Sequence, residues 1–256
     1  SYAIPTSTTD SFFKISYASS TEITGKVIRP RWVTEERGST PGTTLDGAVD
    51  VAVQGDYAYV TNGVRASLAV IDISNPDDPV FVSEERGPVA GTSLFDAYAI
   101  YVSGDYAFIT SGVRDSLIVI DISNPADPVW ISEEFGPQRN TSLDSPRSVQ
   151  VVGNYAYIAN FSRDSLAVID VSNPADPIFI AEERGTTPGT TLDGAFQVKI
   201  SGTYAYVTTF GRDSLAVIDI SNPADPVFVS EEQTGGADGQ LNGAMGLSIV
   251  GNYAYI

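Results

Sequence analysis

The chain repeats itself every 49 residues. Tyr57, Tyr106, Tyr155, Tyr204 and Tyr253 each open a Tyr-Ala-(Tyr/Phe) segment, and Glu35, Glu84, Glu133, Glu182 and Glu231 each begin a Glu-Glu pair at the same step. A fixed period limits the fold severely. Each unit must be one supersecondary piece that buries its apolar surface against the next copy. The period is too long for ankyrin or tetratricopeptide repeats, and no stretch carries the helical spacing of apolar residues.

Four strands are expected in each unit. In the first complete copy they run near Val49–Val53, Tyr57–Thr61, Ser67–Ile73 and Val80–Ser83. Gln54-Gly55-Asp56 and Asn62-Gly63 supply turns, and Ser74-Asn75-Pro76-Asp77-Asp78-Pro79 cannot continue a ladder. The third strand reads as alternating and rich in β-branched residues. Four short antiparallel strands in a unit of this length are the pattern of a β-propeller blade. The expected fold is therefore all-β, a propeller of four-stranded antiparallel blades.

First strands begin near Val49, Tyr98, Arg147, Phe196 and Met245, and the other strand types also occur five times. Five blades follow, in one domain over residues 1–256. The closing blade would be composite: N-terminal third (Ser11–Tyr17) and fourth (near Arg31) strands beside C-terminal first and second strands, with Ala18–Arg29 as a lengthened turn. Ser1-Tyr2-Ala3-Ile4 resembles a second strand as well, and the chain starts with Ser rather than Met. Both features fit a processed chain or a fragment of a longer array.

The third strands Leu68-Ala-Val-Ile-Asp72, Leu117-Ile-Val-Ile-Asp121, Leu166-Ala-Val-Ile-Asp170 and Leu215-Ala-Val-Ile-Asp219, each followed by (Ile/Val)-Ser-Asn-Pro, resemble the LVIVD repeat family over about residues 31–256. Phe12-Phe13-Lys14-Ile15-Ser16 departs from that pattern. The resemblance implies propeller segments of bacterial and archaeal surface or exported proteins. It implies no defined activity, so no catalytic residue carries over.

Composition narrows the chemistry. The chain has no Cys and no His, which excludes disulfides, thiolate zinc sites, Cys nucleophiles and His-based triads. A net charge of −18 argues against nucleic acid and anionic membranes as partners. The apolar runs are too short for membrane insertion by a helix.

Comparing the copies with one another separates frame from candidate site. The Asp-x-Ser-Asn-Pro-x-Asp stretch (Asp121, Ser123, Asn124, Asp127) has oxygens at short spacing that suggest calcium, but it reads better as a plain turn. No cofactor is expected otherwise. The Glu-Glu pairs recur in every unit. They are read as a charged outer edge, because a catalytic pair needs one unique site. The aromatics Trp32, Phe81, Trp130, Phe179 and Phe228 are read as inter-blade core.

The loops between second and third strands share a face with the blade-to-blade loops, including Gly38–Thr44, Pro137–Ser142 and Gly185–Thr191. That face is the expected binding side. Arg65, Arg114, Arg163 and Arg212 lie there and could grip carboxylates or phosphates, or pair with the following Asp115, Asp164 and Asp213. Asp46, Asp96, Asp144 and Asp193 precede the inner strands, as cation ligands around the axis or as turn caps. Inner-strand positions out of phase with the apolar ones change in every copy. Asp50, Tyr101, Gln150 and Lys199 are the candidates there for a polar channel. Asn140-Thr-Ser142 and Asn160-Phe-Ser162 fit glycosylation sequons.

These features favour a non-catalytic extracellular or cell-surface module. Its role would be adhesion, surface or filament assembly, or glycan contact, with a protein or glycan partner at the loop face. One alternative is a carboxylate glycoside hydrolase built around Asp50, by analogy of fold alone. Another is a structural subunit of an extracellular polymer, self-associating through Tyr253–Ile256.

Overall fold

The computed structural model describes residues 11–16, 22–27, 45–89, 94–136, 142–185, 191–233 and 241–256. Two compact units are present, Ser1–Thr34 and Glu35–Ile256. In the first, β1 (Ser11–Ser16) pairs antiparallel with β2 (Glu22–Val27), from Ser11 opposite Val27 to Ser16 opposite Glu22. A strand begins at Ser11 as expected, in a two-stranded sheet. The expected turn at Ala18–Arg29 does not hold, because β2 lies inside it. The 49-residue period does not reveal β2, because its segment lies in the stretch by which this turn exceeds the other repeats. The expected fourth strand near Arg31, Trp32, Glu35 and Ser1–Ile4 lie outside the described residues.

The second unit holds four complete antiparallel sheets in sequence order. They are β3 (Ala48–Gln54), β4 (Tyr57–Asn62), β5 (Ser67–Asp72) and β6 (Val80–Glu85); β7 (Ala97–Ser103), β8 (Tyr106–Ser111), β9 (Ser116–Asp121) and β10 (Val129–Glu134); β11 (Pro146–Val152), β12 (Tyr155–Asn160), β13 (Ser165–Asp170) and β14 (Ile178–Glu183); and β15 (Ala195–Ser201), β16 (Tyr204–Thr209), β17 (Ser214–Asp219) and β18 (Val227–Gln233). A short hairpin, β19 (Ser248–Val250) with β20 (Tyr253–Tyr255), follows. The first strands β3, β7, β11 and β15 lie side by side, each against the next.

The third strands are apolar at nearly every position because both of their faces are buried. In β9, Ile118 and Ile120 pack with Leu68 and Val70 of the preceding sheet, while Leu117 and Val119 pack with Ala167 and Ile169 of the following one. This corrects the expectation of simple alternation. Each core lies between sheets, not inside one. The fourth-strand aromatics join these inter-sheet cores: Trp130 the first, Phe179 the second and Phe228 the third. Tyr59 and Tyr157 are also buried, and burial raises both phenols above their ordinary pKa.

The same residue position shows what stacking contributes. Ile100, Val149 and Val198 are 7%, 2% and 0% exposed, but their counterpart Val51, in the first sheet of the unit, is 55% exposed. At this first-strand position the apolar residue is buried where a preceding four-stranded sheet packs on it.

The Ser-Asn-Pro turns are local devices. Asp72, Asp121, Asp170 and Asp219 each accept the backbone N–H two residues on at 2.8 Å, and Asn124 Oδ1 accepts from Ala126. Among the described residues, no three acidic side chains group closely enough to hold a metal.

Because Leu117 is fully buried between two sheets, Leu117→Ala should destabilise the protein by about 3 kcal/mol. Val113→Ala, at a 63% exposed loop position, should stay within about 0.5 kcal/mol. Urea unfolding of the two variants checks the contrast.

Candidate functional site at the start of the inner strands

Most of the repeated charges are bound into the frame. Arg65 grips Glu84 with two bonds, Nε–Oε1 at 2.6 Å and Nη2–Oε2 at 2.9 Å. Arg114 holds Glu133 in the same way, Arg163 holds Glu182, and Arg212 holds Glu231. The expected Arg–Asp pairing is therefore corrected: the partner is the first Glu of the pair, 19 residues later in the same sheet. Paired forks of this kind leave these arginines engaged rather than open to a ligand.

The second Glu has its own task. Glu85, Glu134 and Glu183 accept the N–H of Gly87, Gly136 and Gly185, with the Glu134 bond at 2.6 Å. The Glu-Glu pairs are half-buried construction parts and not a bare charged edge, which corrects the sequence reading. A strand-end position alone does not reveal that an Arg from the neighbouring loop folds over it.

Asp115, Asp164 and Asp213 each accept an N–H from the next repeat, at Ser145, Gly194 and Gly243, over 2.7–2.9 Å. Asp46, Asp144 and Asp193 lie near the arginines. In Arg65, Arg163 and Arg212 the hydrogen bond to Glu is the main cause that raises the pKa, with these aspartates adding to it. Asp96 is not their counterpart. It occupies the left-handed position, φ 54°, held elsewhere by Gly47, Ser145, Gly194 and Gly243. At Gly194 a Cβ would meet the Gly211 nitrogen at 2.9 Å, so glycine is required there. One residue of drift in the alignment hid this difference.

A cavity of about 330 Å³ lies where the first strands converge. Of the candidates from sequence, it brings together Asp50, Gln150 and Lys199. It does not include Tyr101, which packs against the second inter-sheet core. Nor does it include Arg65, Arg114, Arg163, Arg212, Asp46, Asp96, Asp144 or Asp193.

Several lining residues brace neighbouring strands. Asp50 accepts from Val51 N on one oxygen (2.9 Å) and from Ile100 N on the other (3.0 Å). Ser148 accepts from Val198 N at 3.3 Å, and Gln197 from Leu247 N. The variable polar positions are thus partly structural, each reaching the first strand of the next repeat.

Sequence reasoning missed the ring just before these positions. Val49, Tyr98, Arg147, Phe196 and Met245 line the cavity and differ in every repeat. The loops add Phe161 and Phe210, where the first two sheets have Gly63 and Gly112. Self-comparison at these positions would have found them. Arg147 lies with its guanidinium carbon 4.6 Å from the Tyr98 ring and 5.6 Å from the Phe161 ring. Phe196 meets Tyr98 and Phe161 edge-on at 6.2 and 6.1 Å. The Arg147 Nε is buried without a hydrogen-bond partner. Contact of Phe161 with the strand starts also puts the second-to-third-strand loop on the same side as the cavity, as expected.

The sequon at Asn160 is corrected. Asn160 is fully buried, and its amide donates to Ser142 O and Ser165 Oγ, leaving no access for a glycan. Asn140 and most of the variable loops, 38–44, 137–141 and 186–190, lie outside the described residues.

Four-stranded antiparallel blades repeated in sequence, with first strands converging on a cavity, define a β-propeller repeat protein. The chain belongs to the LVIVD repeat family, whose model matches residues 47–84, 96–133, 145–182, 194–234 and 243–256. No curated protein matches it. Among solved structures it is similar to a Lactobacillus plantarum protein (16% identity, TM-score 0.61, covering 72% of this chain and 57% of that one). A putative 6-phosphogluconolactonase from Bacteroides uniformis is also similar (16%, TM-score 0.62, 79% and 60%). So is the periplasmic gluconolactonase of Pseudomonas aeruginosa (18%, TM-score 0.60, 74% and 58%). The chain spans less than two thirds of each of these proteins, and at such identities the likeness is one of fold.

Two glutamates give opposite pH behaviour. Burial pushes Glu84 up, but hydrogen bonds from Arg65 and Ser67 and the charges of Arg65 and Arg86 outweigh it and hold the carboxyl below its ordinary 4.5. Its contribution to stability is present above that value and is lost as pH falls through the depressed folded pKa. Glu134 is raised above 4.5, chiefly by burial, with the Gly136 N–H opposing and Asp176 adding. Its ionisation therefore weakens the fold as pH rises through its folded pKa. Glu84→Gln should lower the melting temperature at pH 7, and the loss should shrink in acid. Glu134→Gln should raise it at pH 7, and that gain should vanish in acid. Melting curves from pH 7 to pH about 3 check both signs.

Proposed function

We infer that this chain is a non-catalytic binding module of an exported or cell-surface protein, taking a protein or glycan partner at the loop face over the inner-strand cavity. One observation carries the reading. The repeated charged groups are consumed by the frame, whereas the unrepeated side chains Tyr98, Arg147, Gln150, Phe196 and Lys199 gather at a single cavity. Function concentrates where a rigid scaffold holds variable residues. The acidic chain without Cys fits an exported protein that avoids nucleic acid.

The hydrolase alternative finds less support. A glycosidase needs two carboxylates about 5–10 Å apart. Asp50 is the one acid lining the cavity among the described residues, and both of its oxygens accept backbone N–H groups.

The test is saturation-transfer NMR with a panel of neutral and acidic oligosaccharides, followed by product analysis after long incubation. The expected result is saturable binding with the ligand recovered intact, weakened by Tyr98→Ala. Turnover of any panel member that disappears in Asp50→Asn would replace this reading with the hydrolase.

A further inference from the structure

The cavity runs against the charge of the molecule. The chain carries −18, yet the cavity holds two cations, Arg147 and Lys199, against the single carboxylate of Asp50. Lys199 is the sole lysine of the second unit, and it has no ion-pair or hydrogen-bond partner among the described residues. Arg147 also lacks an ion pair among them, and its Nε is buried and unpartnered. Arg86 and Arg184, whose Nε is also buried and unpartnered, do not line the cavity, and the four frame arginines each have a glutamate in their fork. Arg147 has aromatic rings instead. They orient its planar fork without filling its donor positions.

The two lining glutamines offer one free donor group and one free acceptor. Gln197 uses its oxygen on Leu247 N, which leaves its amide N–H₂ to donate. Gln150 donates to Val149 O, leaving its oxygen as an acceptor. Lys199 lies three residues along its strand beyond Phe196, the counterpart of Arg147, so the two cations are separated along the channel by roughly 10 Å. A volume of about 330 Å³ suits one sugar-sized body between them.

From these groups we propose that the cavity binds a sugar acid through its carboxylate. Arg147 receives the carboxylate, Tyr98 and Phe196 border the ring, Gln150 and Gln197 bond hydroxyl groups, and Lys199 supplies the positive field beneath. An inorganic phosphate would satisfy the cations but would leave the aromatic wall unused. The proposal rests on the binding-module reading and specifies its ligand. The same chemistry could arrive as a free sugar acid or as a uronate within an acidic polysaccharide.

The experiment is isothermal titration calorimetry of the full chain at low salt with glucuronate, its methyl ester, glucose and an oligogalacturonate. Glucuronate should bind at least about tenfold more tightly than glucose or the ester, with affinity falling as salt is added. Arg147→Met should lose about tenfold or more, and Lys199→Met about threefold or more. Lys199→Met lies outside the aromatic cluster, so it keeps the test valid if Arg147→Met does not fold. Tighter binding of the oligogalacturonate than of glucuronate identifies the polysaccharide as the source, and equal or weaker binding identifies the free acid. Glucuronate binding no tighter than glucose, absence of glucuronate binding, or Lys199→Met and a folded Arg147→Met both binding like the parent overturns the proposal. The binding-module reading is judged separately: it survives such a result if neutral ligands bind intact, and it falls only on turnover.

Discussion

Burial of both faces of the third strands β5, β9 and β13 is the constraint on which the rest of the second unit depends. Ile118 and Leu117 are neighbours in sequence but belong to different cores. No sheet can satisfy its own apolar surface, so the sheets must stack, and stacking draws the first strands together. The cavity is a by-product of that convergence. Its chemistry is set by residues that the packing leaves free to vary. Val51, in the first sheet of the unit, is exposed where its counterparts in later sheets are buried.

Charge is distributed by the same logic. Each frame arginine lies over a half-buried glutamate, and Glu85, Glu134 and Glu183 each close a turn at a glycine N–H. Much of the acidity is therefore internal wiring repeated with the fold. Arg147 and Lys199 stand outside this wiring and are the cations that line the cavity.

Strand positions in the repeats were legible in the sequence because period, turn residues and β-branched runs all report backbone geometry. The starts of β4, β5 and β6 fall where Tyr57, Ser67 and Val80 put them. Contacts across the fold were less legible. The Arg65–Glu84 fork spans 19 residues, and the adjacent Asp in later repeats offered a nearer but wrong partner. Asp96 resembles Asp46 because both precede an inner strand, but it lies 50 residues on rather than 49 and takes the left-handed φ of the Gly47 position. At the cavity, polarity drew notice to Asp50 and Lys199. Tyr98 and Phe196 carry no such mark, because aromatic residues at strand starts occur in cores as readily as in cavities.

The braces between neighbouring sheets all point one way along the chain. Asp50, Ser148 and Gln197 each offer an acceptor to the strand about 50 residues ahead, and Asp115, Asp164 and Asp213 each do so 30 residues ahead. The stack therefore has a polarity that its near-identical units do not suggest. Loss of an acceptor loosens the junction on the C-terminal side of its own sheet and leaves the junction behind it intact. With these acceptors, the third and fourth sheets each hold the repeat ahead at two points, whereas the first and second, with Ala66 and Ala99 at one of the two positions, hold theirs at one.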